Sequence, residues 1–250
     1  MYIKSLIAAV ALMVTGVSFA GTLGSFSSTD PLNNGFQGTR LWTDPAKTGF
    51  NVVVGAGTSD VKFGDKSELG AGLDYKWSNG FYTGGRIIGT EHTDRETGYL
   101  GYTGKLIDAS TPFWAQVGVI RLHDAYGWSS ITNTWTEAQL GAEKRSGRSR
   151  VGLAGSYAKN QDFDVALTKV GLYAEVPLDL VKDTIFTDWR LRAIANRVRA
   201  ESFGTAAYFN QYQVAVGRVF SNGIGFQLAA DRTSLAGADT VASAKISIQF

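Results

Sequence analysis

The feature that most constrains the fold is an alternation of apolar and polar residues with a step of two. In the last nine positions the apolar members are Ala242, Ala244, Ile246, Ile248 and Phe250, and polar residues stand between them. Residues 69–77 and 224–231 alternate in the same way. Successive side chains on a β-strand point to opposite faces, so each run has one apolar and one mostly polar face. The pattern predicts β-strands rather than helices.

Twelve segments of ten to fourteen residues fit this pattern or contain part of it. They are 48–58, 67–77, 80–90, 97–107, 113–122, 133–143, 149–158, 165–178, 187–199, 207–220, 223–233 and 240–250. A tilted membrane strand needs about 9–11 residues, whereas soluble strands average about 5–6. We therefore expect an all-β fold, a transmembrane antiparallel up-and-down β-barrel of about twelve strands, with ten strands as an alternative.

The connections differ between the two ends of the predicted barrel. Ser78-Asn79-Gly80 and Ser221-Asn222-Gly223 repeat one tripeptide. Its Asn-Gly pair favours a tight hairpin, because both residues tolerate positive φ. The connections at the opposite end are longer in this assignment, and the longest runs from His123 to Thr132. Short periplasmic turns and longer outer loops are typical of membrane barrels.

The N-terminus has the pattern of a cleavable export signal. A basic residue, Lys4, precedes an apolar run of 13 positions from Ser5 to Val17, and Ser18 and Ala20 supply small residues for a peptidase. The run is shorter than the ~20 residues of a membrane-spanning helix. The chain then divides into a signal peptide at 1–20, an irregular lead-in at 21–47 and the barrel at 48–250.

Composition excludes several kinds of site and partner. The chain has no cysteine, which removes disulfides, thiolate metal sites and a cysteine nucleophile. Its formal net charge is only +2, so nucleic acid is not expected as a partner. Beyond the N-terminal signal, no apolar run is long enough for a spanning helix.

The end of the chain resembles the C-terminal signature of bacterial outer-membrane β-barrel proteins. In that class an amphipathic last strand with a terminal aromatic residue is recognised by the barrel-assembly machinery. The resemblance implies that Ile246, Ile248 and Phe250 form an assembly signal. It also implies that the protein resides in the bacterial outer membrane, with membrane lipid and the assembly machinery as partners.

Charged residues recur on one face of the predicted strands. A charge facing lipid at the midplane costs about 2–4 kcal/mol for Arg or Lys, so this face is expected to line the lumen. Its charged members are Lys105, Glu137, Glu143, Arg150, Lys169, Glu175, Arg190, Arg192, Asp231 and Lys245.

Hairpin pairing would place Glu143 near Arg150 and Glu175 near Arg190. Lys105, Lys169 and Arg192 would then be the least neutralised charges. The alternative is that these residues only fill and brace a narrow interior.

Catalytic and metal sites find little support. The two histidines, His92 and His123, lie beside Asp94 and Asp124, but no hydrolase motif surrounds them. The run Asn160 to Asp164 is a weak candidate for calcium. We expect no catalytic residue, metal or cofactor.

Aromatic residues near the strand ends predict two interfacial girdles. Those at the periplasmic end are Tyr75, Trp77, Phe81, Phe113 and Phe220, and those at the outer end are Trp135, Tyr157 and Tyr208. The function expected from all these features is a small porin-like channel for polar or weakly anionic solutes. Its alternatives are a closed structural or surface-recognition barrel and, third, a hydrolase at the outer loops.

Overall fold

Twelve antiparallel strands form the structure of the protein, a computed structural model that describes residues 48–58, 67–90, 93–126, 129–178, 189–220, 224–234 and 240–249. The strands are β1 (Gly49–Thr58), β2 (Ser67–Lys76), β3 (Phe81–Thr90), β4 (Thr93–Lys105), β5 (Pro112–Tyr126), β6 (Ser129–Ser146), β7 (Ser149–Asn160), β8 (Val165–Pro177), β9 (Arg190–Ser202), β10 (Thr205–Val219), β11 (Ile224–Thr233) and β12 (Val241–Gln249). None of the described residues forms a helix long and apolar enough to cross a membrane. The predicted signal peptide and lead-in, residues 1–47, lie outside the described residues.

The sheet closes on itself. Each strand pairs with its neighbours in sequence, and β1 pairs with β12 from Asn51↔Gln249 to Gly57↔Ser243. Closure leaves no unpaired strand edge, which a membrane requires because the hydrocarbon offers no hydrogen-bond partner. The predicted up-and-down barrel is confirmed, with twelve strands in the described part of the chain.

One end of the barrel carries the start of β1 and the end of β12, together with tight turns such as the one between β2 and β3; we call it the termini end. At the β2–β3 turn, Gly80 has a φ of 94°, and the Asn79 side chain accepts a hydrogen bond from the Phe81 N–H. This confirms the tight hairpin predicted for 78–80, while its repeat at 221–223 lies outside the described residues. At the next turn, hydrogen bonds from the Ser110 hydroxyl and N–H lower the pKa of Asp108.

The opposite end, which we call the far end, does not have the long loop predicted from His123 to Thr132. Strands β5 and β6 continue through these positions and stay paired as far as Tyr126↔Ser129. Likewise, β9 and β10 join through Phe203 and Gly204, which both have positive φ, as a tight two-residue hairpin requires. The polar composition of these segments suggested loops, but cross-strand pairing extends through them. Where β5 meets β6 and β9 meets β10, the described part of the far end therefore consists of long hairpins.

The outward face is apolar along most of the strands. Half-exposed aliphatic side chains surround the wall and include Leu69, Leu73, Ile87, Leu100, Val117, Leu140, Leu153, Leu172, Val214 and Leu228. The inward face alternates with them, as in β7, where buried and exposed residues follow one another throughout. So large an apolar surface would be unfavourable in water. It therefore forms the lipid-facing band of a membrane-spanning barrel.

Aromatic side chains border this band. At the termini end, Phe50, Tyr75 and Trp77 form a contiguous series with ring centroids 4.7 and 5.0 Å apart. Phe81, Tyr102 and Phe113 continue it on β3 to β5. This confirms the predicted girdle there and adds Phe50 and Tyr102 to it.

At the far end, Tyr157 and Tyr208 face outward as predicted, and Tyr212 joins them. The assignment of Trp135 to this girdle is wrong. Its ring is buried inside, and its Nε1 donates to Asn133 Oδ1 at 2.6 Å. Trp135 lies on the inward face of β6. The prediction considered only that aromatic residues lie near strand ends, and not which face of the strand they occupy.

On the inward face, large rings lie over glycines of the neighbouring strand. Tyr173 pairs in register with Gly152, and Trp114 pairs with Gly141. A Cβ at either glycine would collide with the facing ring. Tyr82 over Gly101 and Tyr99 over Gly84 repeat the arrangement on β3 and β4. The rings therefore lie along the wall, in the space that a neighbouring side chain would otherwise fill.

Replacing Gly152 by Ala should destabilise the barrel by about 1–3 kcal/mol, because the new methyl group overlaps the Tyr173 ring. Gly155 on the same strand is the matched control, since a Cβ there would meet its nearest atom at 3.4 Å. Urea unfolding in lipid vesicles measures both changes. Equal stabilities for Gly152→Ala and Gly155→Ala would contradict the close packing of ring on glycine.

Candidate functional site: the charged lumen wall

An ionic cluster on the inward face is centred on Glu175 of β8. Its Oε1 lies 2.7 Å from Arg150 Nη2 and 2.8 Å from Arg190 Nη1, and its Oε2 lies 2.7 Å from Arg192 Nη2. The side chains of Glu175 and Arg192 are both 0% exposed. A buried carboxylate is tolerated only when it is paired and hydrogen-bonded. Three guanidinium groups supply those bonds here.

A second carboxylate, Glu143 of β6, extends the cluster. Its Oε1 lies 2.5 Å from Arg145 Nε and 3.8 Å from Arg150 Nη1. Its Oε2 accepts a hydrogen bond from the hydroxyl of Tyr173. Arg150 therefore stands between two carboxylates, and its position on β7 connects β6 to β8.

The register of the sheet explains why these side chains meet. Arg150 pairs directly with Glu175, and Glu175 pairs with Arg192 on the next strand. Residues directly opposite on antiparallel strands share a face and have Cβ atoms about 4.5–5.5 Å apart. The cluster thus occupies four consecutive strands near the termini end and braces the wall from β6 to β9.

The predicted pairing of Glu175 with Arg190 is confirmed by their 2.8 Å contact. For Arg150, the main partner is Glu175 rather than Glu143. The prediction that Arg192 is among the least neutralised charges is wrong, because Arg192 lies against Glu175. The prediction considered pairs within one hairpin at a time, so it did not anticipate that a carboxylate on β8 binds arginines of both β7 and β9.

The other predicted lumen residues lie in different surroundings. Lys169 is buried on the inward face of β8, and Glu137 is half-buried on β6. Asp231 accepts a hydrogen bond from Gln213 Nε2 at 2.5 Å. Lys105 is exposed, because β4 ends there, so it lies at the rim rather than inside the lumen. Lys245 pairs in register with Gln227, but its side chain lies outside the described part.

The sequence assignment missed a second charged group, on β2 to β4. Asp74, Lys76, Arg86 and Arg95 are buried on the inward face. Arg86 Nη2 donates to the Tyr99 hydroxyl at 2.8 Å, and its Cζ lies 4.7 Å from the centre of that ring. The alternation of residues 69–77 already placed Asp74 and Lys76 opposite the apolar face. Arg86 was missed because it follows two glycines and precedes two consecutive isoleucines, so the alternation of polar and apolar residues is not visible around it.

The two charged groups lie on nearly opposite walls. Strand β3 is five positions from β8 in a closed ring of twelve strands. Among the described inward side chains that are not exposed, eight are basic and five are acidic. The basic ones are Lys76, Arg86, Arg95, Arg145, Arg150, Lys169, Arg190 and Arg192, and the acidic ones are Asp74, Glu137, Glu143, Glu175 and Asp231. The described part of the lumen therefore has an excess of positive charge.

The candidate catalytic and metal residues are not arranged in a recognisable site. His123 is exposed, its Nδ1 lies 2.7 Å from Thr132 Oγ1, and it pairs in register with Asp94. His92 lies outside the described residues. The predicted calcium segment is a turn in which Asn160 Oδ1 accepts the N–H groups of Asp162 and Phe163. In the described ranges, no three His, Asp or Glu side chains are placed to hold a metal ion.

Replacing Glu175 by Gln should destabilise the barrel by about 3–5 kcal/mol, because three arginines would lose a buried counter-charge. The matched control is Glu96→Gln, since Glu96 forms an exposed pair with Arg121 at 3.9 Å. That pair should contribute no more than about 1 kcal/mol. Equal midpoints of urea unfolding for the two variants would rule out the bracing role of Glu175.

Comparisons with known proteins agree with this architecture. The KdgM porin covers 80% of this chain and 99% of its own, at 10% identity and a TM-score of 0.54. A structure of KdgM porin in complex with disordered oligogalacturonate has the same coverage, 8% identity and a TM-score of 0.57. The translocator domain of the autotransporter NalP from Neisseria meningitidis covers 86% of this chain and 92% of its own, at 12% identity and a TM-score of 0.45. No protein-family model and no curated protein sequence matches. The fold is therefore that of the outer-membrane porin barrels.

Proposed function

We propose that the protein is a narrow channel of the bacterial outer membrane for small polar and anionic solutes. The closed barrel, its apolar outer band and its aromatic girdles support residence in a membrane. The fold shared with porins supports a channel. The observation that carries the solute preference is the excess of basic side chains on two nearly opposite inner walls.

The arrangement of the inward contacts favours a passage over a plug. Each ion pair of the cluster joins residues on the same strand or on adjacent strands. The inward-facing rings of Trp114 on β5 and Tyr173 on β8 also meet along the wall, with centroids 6.4 Å apart. Contacts of this kind reinforce a wall. They do not connect β3 with β8 across the barrel axis.

Positive charge on both sides of a narrow passage enriches anions inside it. Arg145 and Arg190 are the members of the β6–β9 cluster with side chains about one-fifth exposed, at 22% and 20%. Their guanidinium groups lie near the termini end, where a solute would meet them. A porin of the same fold was solved with oligogalacturonate, an acidic saccharide, and this supports the same class of solute here.

A closed barrel is the second candidate, because complete burial of Glu175 and Arg192 shows that side chains fill the space beside that wall. A hydrolase is the third and has the least support. His123 contacts a threonine on an exposed hairpin and is outside any charged cluster described above. We therefore propose that the protein is not an enzyme.

Replacing Arg145 and Arg190 together by Gln should shift ion selectivity toward cations, because two partly exposed lumen charges are removed. The reversal potential across a planar bilayer in a salt gradient measures this shift. Lys144→Gln is the control, since Lys144 is next to Arg145 in sequence but is exposed on the outward face of β6. An unchanged reversal potential in the double variant would contradict the proposed path, and absence of conductance in the wild type would favour a closed barrel.

Assembly is the second part of this proposal. Ile246 is exposed on the outward face of β12, Ile248 pairs with Val52 and Ile224, and Phe250 lies outside the described residues. Deletion of Phe250 should reduce the amount of barrel in the outer membrane of cells more than it reduces folding into detergent. Ser247→Ala, in the same strand, is the control. Equal membrane yields for the deletion and the wild type would show that Phe250 is not an assembly signal.

A further inference from the structure

A set of basic side chains faces outward near the far end of the barrel. Lys159 of β7, Arg197 and Arg199 of β9, and Arg232 of β11 are all exposed, and we call them the outer basic patch. Glu201 is a carboxylate on the same face, and it pairs with Arg199. The patch therefore has an excess of positive charge. It lies outside the lumen and has no part in the proposed channel.

The depth of the patch is marked by tyrosines. Arg199 pairs in register with Tyr208, and Arg232 pairs with Tyr212. Lys159 follows Tyr157 by two positions on the same face of β7. Outward-facing tyrosines occupy the headgroup region of a membrane. Arg197 pairs with Asn210, which lies between Tyr208 and Tyr212 on β10, and with Val170 at the margin of the apolar band. The basic groups are therefore at the depth of the tyrosines, where the apolar band meets the headgroup region.

Arg197 is held in a defined position at this depth. Its Nη1 donates to Asn210 Oδ1 at 3.0 Å, and its Cζ lies 5.2 Å from the centre of the Tyr208 ring. A guanidinium group held by a planar ring and an amide still has donors that can bind an anion. Arginine is well suited to phosphate because its N–H groups match the spacing of two oxygens.

We propose that the outer basic patch binds the phosphate groups of lipids in the outer leaflet of the membrane. This inference rests on the proposed residence in the outer membrane with the termini end on the periplasmic side, as predicted from the sequence, so that the far end lies in the outer leaflet. A ligand at this depth and on this face must itself belong to the membrane, and positive charge selects an anionic headgroup. A second copy of the chain would present the same positive patch in a symmetric contact, which favours lipid as the occupant.

The test uses the purified barrel in detergent micelles, titrated with lipid A bearing two phosphates and with the same lipid after removal of both. Native mass spectrometry measures the retained lipid. The wild type should retain the phosphorylated form more tightly. Arg197→Gln combined with Arg232→Gln should weaken that binding roughly thirtyfold, about fivefold for each charge near an anionic headgroup.

The matched control is Lys144→Gln combined with Arg218→Gln, which removes the same charge near the termini end. Its affinity for phosphorylated lipid should stay close to that of the wild type. Equal retention of the two lipids by the wild type, or an equal loss in the control, would overturn the proposal. So would a change in particle mass that showed the patch joining two copies.

A second measurement needs no variant. Binding of phosphorylated lipid by the wild type should weaken as sodium chloride is raised, because salt screens exposed charges. Retention that does not depend on salt would show that apolar contact alone holds the lipid, and the outer basic patch would then have no role in binding.

Discussion

Closure of the sheet between β1 and β12 is the constraint on which the rest of the structure depends. It satisfies the edge hydrogen bonds of the ladder inside the wall, so the barrel can stand in hydrocarbon without water. It also separates two environments within each strand. Alternate residues must then suit either lipid or the interior, and this explains why Leu172 and Tyr173 are neighbours with opposite exposure.

Inside the closed barrel, the charged side chains described above form contacts along the wall, from one strand to the next. Glu175 gathers arginines from the strands on both sides, and Tyr173 links the same region to Glu143. Buried charges of this kind are costly to separate and impose a particular strand order and register. The basic excess that remains after this pairing is the observation that supports the proposed preference for anions.

Much of this fold could be predicted from the sequence, because period-two alternation follows directly from strand geometry. The alternation of 69–77 correctly places Asp74 and Lys76 inside, although their functional interest was overlooked. The far-end hairpins could not be predicted in the same way, since the polar residues around His123 fit a loop as well as a strand outside the hydrocarbon. The environment of Arg192 could not be predicted either. Its partner Glu175 lies on β8 and also binds other arginines, and the sequence separation of these residues does not reveal that one carboxylate binds several of them.

The rings that lie over glycines have a consequence for how the width of such a barrel can change during evolution. Strand number sets the circumference of the wall, but Tyr173 and Trp114 occupy space provided by Gly152 and Gly141 instead of projecting fully toward the axis. Exchanging one glycine for a larger residue would push its facing ring inward and narrow the bore. A compensating loss of the ring would widen it again. Diameter can therefore vary in small steps through paired substitutions, with no strand gained or lost.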